Sequence, residues 1–262
     1  MIIEQIRNAT IKIHYGDKVF LVDPWLAPKD SFGSFASLPA SIPFKTRDSQ
    51  KSFISMPICE LPNAVNEILS GVDYYIVTHI HPDHIDMNLD GTVGELLNKK
   101  TPLLVQNEED AQVFKNSGFE NVMVLPECGL SIDNIRITRV PALHGTDIPC
   151  GSAMGFIMEG EDKTLYVAGD TIWYEKVAGD TIWYEKVAEI LYKFHPEVIV
   201  LNACAAELID FGRLIMDAED VKKVIETSPD SDIILSHMDN VAHAYLSRTS
   251  LGDALQELGV FS

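Results

Sequence analysis

Positive charge is scarce in this chain. Twenty lysines and arginines face 39 aspartates and glutamates, a formal net charge of -19 over 262 residues. A field of that sign repels phosphate backbones and anionic bilayers, so neither nucleic acid nor membrane partners are expected. A small anionic substrate stays open, because one local basic group overrides the global field. No apolar run approaches the roughly 20 residues of a membrane span, and the start Met1-Ile2-Ile3-Glu4-Gln5 lacks the basic-then-apolar pattern of a secretory leader. A cytoplasmic protein is the expectation. Cysteine is equally sparse: Cys59, Cys128, Cys150 and Cys204 form no Cys-x-x-Cys pair, which suggests neither a zinc knuckle nor a disulfide framework. Cys204, just past the strand-like Val198-Ile199-Val200-Leu201, is placed to lie near a site at that strand end, but reads better as a small buried residue.

What the chain has is enough apolar residue, 46%, for a full core. Nothing marks a linker, so residues 1–262 read as one domain of two packed halves. Ile11, Ile13 and Tyr15 alternate, Gly16-Asp17 turns, and Val19 to Val22 returns as the second arm of a hairpin. Residues 24–62 then carry six of the thirteen prolines with Trp25, Phe32, Phe35, Phe44 and Phe53. Such a long punctuated stretch inside a compact domain reads as a lid or pocket wall. From Asp73 onward strands alternate with helices. Asn107 caps a helix that stops at Gly118, Asp217 caps another, and a last one runs near Leu251 to Leu258. Hairpins followed by mixed strand and helix predict an α/β fold of two mixed sheets face to face with helices outside.

Residues 78–84 read Thr-His-Ile-His-Pro-Asp-His, directly after the apolar Tyr74-Tyr75-Ile76-Val77. Imidazole and carboxylate are the ligands that zinc and its first-row neighbours prefer. A strand ending at Thr78 and a loop stiffened by Pro82 let His79 and His81 address one metal while Asp83 and His84 turn to a second. Further ligand types also follow apolar runs: His144 after Val140, Asp170 after Leu165-Tyr166-Val167, and His237 after Ile233-Ile234-Leu235. Each alone reads as a surface residue; together with the first motif they read as a site. Asp23, ending a strand at the same edge, suits an outer acceptor for a ligand imidazole. His14 and His195 read as structural or solvated.

One anomaly is internal. Residues 167–176, Val-Ala-Gly-Asp-Thr-Ile-Trp-Tyr-Glu-Lys, recur unchanged at 177–186. Ten identical residues in two copies are not an architectural repeat. Two aspartates, Asp170 and Asp180, therefore compete for one role. Asp170 is preferred, since the approach to Asp180 would bury charge in a sheet. The extra copy is expected as a helical excursion broken near Gly179, with the original helix resuming from Trp183.

Taken together, His79-x-His81-x-Asp83-His84, the lone His144, Asp170 and His237 resemble the metallo-β-lactamase superfamily. Arg7-Asn8-Ala9-Thr10, Asp23-Pro24, Gln106 to Asp110, Gly169 to Trp173, Met216 to Asp220 and His237 to His243 resemble its L-ascorbate-6-phosphate lactonase branch. The resemblance implies a four-layer αββα sandwich. His79, His81 and His144 would hold one divalent ion, Asp83, His84 and His237 a second, with Asp170 between them. Zinc is expected, or else manganese. His243 matches the branch's closing histidine and would touch substrate or orient a ligand. An acidic residue at position 81 would have pointed to iron-dependent flavodiiron relatives; His81 speaks for hydrolysis. The expected enzyme uses a metal-bridging hydroxide on a small ester, lactone or amide, phosphorylated or not, with Asp83 or Asp170 carrying the proton, and a homo-oligomer is in keeping with the branch. Two alternatives remain: a mononuclear iron oxygenase of the sulfur dioxygenase kind, and a binding protein whose site the duplication has impaired.

Overall fold

The computed structural model describes residues 1–37, 44–145, 150–161, 163–178, 182–210 and 212–260, without the side chains of 175–178 and 182–185. The first half builds one sheet from β1 (Ile2–Arg7), β2 (Thr10–Tyr15), β3 (Lys18–Val22), β4 (Tyr74–Ile76), β5 (Leu103–Val105) and β6 (Val122–Val124), adjacent in chain order. Hairpins join β1 to β3; from β3 onward the pairs are parallel. Crossovers carry α1 (Val65–Leu69) and α2 (Glu108–Asn116). The Asn107 side chain caps α2 by accepting from Asp110 N, with three acids in its first turn to suit the helix dipole.

The second half contributes β7 (Leu130–Ile132), β8 (Ile135–Pro141), β9 (Met154–Glu159) and β10 (Leu165–Val167), then a separate hairpin of β11 (Glu175–Ala178) and β12 (Ile182–Glu185). After α3 (Lys186–Phe194) come β13 (Val198–Asn202), the short pair β14 (Glu207–Leu208) and β15 (Gly212–Arg213), α4 (Ala218–Thr227), β16 (Asp232–Ser236) and α5 (Arg248–Glu257). The second sheet runs β16-β13-β10-β9-β8-β7.

Alternation along the strands sets the layers. Ile11, Ile13, Phe20, Val22 and Ile76 of the first sheet pack on Ile137, Phe156, Leu165, Val167 and Val200 of the second. The opposite faces meet helices: Leu21, Tyr75 and Val77 meet Ile68 and Phe114, while Tyr166, Ile199 and Leu201 meet Leu191, Val221 and Leu251. This is the αββα sandwich expected from the sequence. Among the described residues no helix is long and apolar enough to cross a membrane.

The duplicated segment departs from expectation. It forms a hairpin, in register from Glu175–Glu185 to Ala178–Ile182, and the helix begins only at Lys186. Ile182-Trp183-Tyr184 is β-branched and aromatic, which favours a strand over the helical excursion predicted for it. Lys186 N donates to Tyr174 O at 3.2 Å, so the hairpin leaves and re-enters the body at one point. Asp180 lies outside the described residues.

Candidate metal centre

Strand ends gather the site. The parallel pairing of β3 with β4 sets Asp23 beside Thr78, whose N and Oγ1 donate to its carboxylate at 2.7 and 2.8 Å. The loop after β4 carries His79, His81, Asp83 and His84; His144 follows β8, Asp170 follows β10, and His237 follows β16. Gly169 makes the turn to Asp170 at φ 65°, and a Cβ there would meet Met154 O at 2.5 Å. His79, His84, His144, Asp170 and His237 are buried, whereas His81 and Asp83 are half-buried.

The side chains converge in three groups, each offering ligand atoms within 4.8 Å of one another: His79, His81 and His144; His79, His84 and Asp170; Asp83, His84 and His237. Asp170 Oδ2 lies 3.2 Å from His84 Nε2 and 3.8 Å from both His79 Nε2 and His144 Nε2, and its Oδ1 is 3.7 Å from His237 Nε2. It therefore sits between the two ends of the cluster. His79 Nε2 faces His81 Nδ1 at 3.0 Å, and His84 Nε2 faces His237 Nε2 at 3.0 Å. Facing lone pairs at that range call for a proton or a cation between them; ligands about 2.0–2.1 Å from a tetrahedral zinc lie about 3.3 Å apart.

The outer contacts fit a metal as well. His84 Nδ1 donates to Asp23 Oδ2 at 2.9 Å, and His144 Nδ1 donates to Leu214 O at 3.0 Å, leaving each Nε2 for a ligand bond. His237 Nδ1 faces Cys204 Sγ at 3.5 Å. Asn202 Nδ2 donates to Asp170 Oδ1 at 2.7 Å. Sequence reasoning passed over Asn202, although it ends β13 as Asp170 follows β10. Cys204 is the small buried residue the sequence suggests, and it lies at the site as well. His243, half-buried, approaches Asp83 Oδ2 at 3.4 Å.

Electrostatics divides the cluster. Burial pushes His79 well below the usual imidazole range and His81 down to about 4, aided by the charge of His84 on His79 and of His144 on His81. Burial lowers His144 too. At the other end burial opposes charge but loses: Asp170, Asp23 and Asp83 raise His84 to about 10, and Asp170 leads in raising His237. Burial raises Asp83 and Asp170, yet His84 and its neighbours hold both carboxyls well below their ordinary value. The two ends are thus biased in opposite senses, His79, His81 and His144 toward neutral imidazole and His84 and His237 toward the charged form, and a metal ion binding at the second end would displace protons there.

Beside the cluster lies a cavity of about 200 Å³ walled by Trp25, Phe32, Phe35, Met56, Cys150, Leu208, Leu214 and Ile215, with His81, Asp83, His144, Asp170 and His243 exposed to it. Among its described lining side chains none is lysine or arginine. Four of the wall residues come from the 24–62 segment.

Comparison with known proteins agrees with this geometry. Residues 20–238 match the beta-lactamase superfamily domain. The chain is 36% identical to the UPF0173 protein YddR of Bacillus subtilis (strain 168), across 100% of this chain and 95% of that one. A crystal structure described as a possible metal-dependent hydrolase from Veillonella parvula DSM 2008 superposes with a TM-score of 0.82 at 30% identity, covering 98% of this chain and 93% of the other. The isothiocyanate hydrolase from Delia radicum gut bacteria does so with a TM-score of 0.79 at 30% identity and the same coverage. Fold, histidine-aspartate cluster and relatives together place this chain in the β-lactamase superfamily, as a metal-dependent hydrolase.

Proposed function

We propose that the enzyme hydrolyses a small, uncharged, largely apolar substrate at an electrophilic carbon, that of an ester, lactone or amide. The observation that carries this reading is the cavity: an apolar wall, without lysine or arginine among the described residues, opening onto the histidine-aspartate cluster. Apart from the metal ions themselves, the described lining offers a phosphate no lysine or arginine to pair with, so a phosphorylated lactone would have to compete for the metals with the group to be cleaved. In the same reading His79, His81 and His144 hold one divalent ion, Asp83, His84 and His237 hold a second, and Asp170 is shared. Zinc is the better match to this nitrogen-rich set, with manganese second. When bound, such ions supply Lewis acidity and bring the ionisation of water toward neutral pH. The protein's part is to exclude bulk water with Trp25, Phe32 and Phe35, to fix Asp170 through Asn202, and to take up the proton of attack at Asp83 Oδ2. A second, narrower reading is an isothiocyanate, whose central carbon is a neutral electrophile of the same kind; the relative from Delia radicum gut bacteria favours it.

The test is a panel of a phenyl ester, a γ-lactone, an anilide, an aryl isothiocyanate and a phosphorylated lactone, run with metal analysis of protein purified without added metal. Turnover of the neutral substrates by protein holding two zinc or manganese ions is the expected result. A preference for the phosphorylated lactone would overturn the neutral-substrate reading. One iron with thiol-dependent oxygen uptake would replace it with the oxygenase. Loss of none of this in His81→Ala would remove the metal centre from the reaction altogether.

A further inference from the structure

We infer that Asn8 is a positioning residue of the metal centre, one that ties Asp83 to His237. It occupies the turn between β1 and β2 at φ 50°, the left-handed region that asparagine tolerates better than most residues. That conformation turns its side chain onto the cluster. Asn8 Nδ2 donates to Asp83 O at 3.1 Å, with Asp83 Oδ2 at 3.3 Å and His237 Nε2 at 3.2 Å. Its main-chain carbonyl meanwhile accepts from Ser236 Oγ at 2.8 Å and from His237 N at 3.3 Å. One residue thus holds the backbone at His237 and the loop at Asp83, which lie 229 and 75 positions away in the chain.

Two contacts against one set the amide's orientation: Asp83 O and Oδ2 both call for its nitrogen, and only His237 Nε2 would take its oxygen. Exchanging its nitrogen and oxygen would set a carbonyl oxygen against Asp83 O and Oδ2, oxygen against oxygen. In the orientation that remains, Asn8 Oδ1 is buried without a hydrogen-bond partner. Strain gathers here as well: Asp23 at φ 44° and His237 at φ 65° share the left-handed backbone of Asn8. An orphaned acceptor and three strained residues around one cluster mark a turn kept for what it positions rather than for its own stability. No other described residue donates a side-chain amide to Asp83.

This inference rests on the two-ion reading, and Asn8→Gly tests it because glycine adopts φ 50° freely and removes only the amide. Metal affinities are read by competition with a chromophoric chelator, and cobalt(II) absorption reports each environment. In Asn8→Gly one of the two ions, that assigned to Asp83, His84 and His237, should lose about 10- to 100-fold in affinity, the other should be unaffected, and one set of cobalt bands should shift. Asn8→Asp, which keeps the shape but sets a carboxylate against Asp83, should change the same ion only. Wild-type affinities in Asn8→Gly, or equal weakening of both ions, would overturn the inference. If the wild-type protein binds a single ion, the two-ion reading fails by itself; the inference then survives only if Asn8→Gly weakens that ion.

Discussion

Residues 167–176 and 177–186 are the same ten amino acids, yet the structure treats them differently. In the first copy Val167 ends β10 in the inter-sheet core, Gly169 turns, Asp170 enters the histidine cluster and Trp173 is buried. In the second copy Val177 and Ala178 pair with Trp183 and Ile182 in a detached hairpin, and only Lys186 joins the helix that follows. Local propensity is identical, so position alone decides. Val167 of the first copy pairs with β9 and β13 on either side, while Val177 of the second, ten residues on, pairs only within the hairpin, whose first strand begins in the first copy at Glu175.

The sharpest way to break this comparison is to exchange the aspartates. Asp170→Asn should lower turnover by more than the roughly 100-fold that losing an outer partner of a metal ligand costs, and should abolish the rise in melting temperature on adding zinc. Asp180→Asn should leave both intact; a loss there in place of Asp170 would reverse the roles of the copies. Next in size is Trp173→Ala, which empties a site 5% exposed and should cost about 3–5 kcal/mol in urea unfolding. A smaller effect concerns pH. Trp173 N donates at 3.2 Å to Asp220 Oδ2, whose carboxyl burial raises to about 6 against the pull of Arg213. A folded value above the unfolded one means that this group's stability contribution is full below about pH 4 and is lost as pH rises through about 6, a change of about 1–3 kcal/mol. Stability of Asp220→Asn relative to wild type should therefore improve across that window, and a flat difference would refute the assignment. Smallest of all is deletion of 177–186, which should alter stability by less than about 1 kcal/mol and leave metal content unchanged. A large gain in turnover on deletion would instead reveal a hairpin that obstructs the site.

Much of the architecture was readable because its cues are local. Asn107 and Asp217 announce their helices by capping chemistry, and His79 to His84 announce themselves by spacing. The strands β1 and β5 went unread: Ile2 to Arg7 interleaves Glu4 and Gln5, and Leu103 to Val105 is only three residues long. Asn8, Asn202 and Cys204 carry no ligand signature of their own. Their contacts depend on which strand ends the sheet order brings together, and that is a tertiary fact. The helical excursion resuming at Trp183 is not found because Ile182-Trp183-Tyr184 pairs as a strand and the helix starts only at Lys186, the last of the ten residues.

The 3.2 Å contact between Tyr174 O and Lys186 N has a meaning for how the sequence can change. It is a splice point: the separation is one that a single intervening residue spans in a γ-turn, so sequence let in there neither stretches nor rotates what lies on either side. The entropic cost of a longer excursion rises by only about 0.6 kcal/mol for each doubling. Ten residues that elsewhere would shift a helix out of phase with its core are accommodated here as a hairpin beside it.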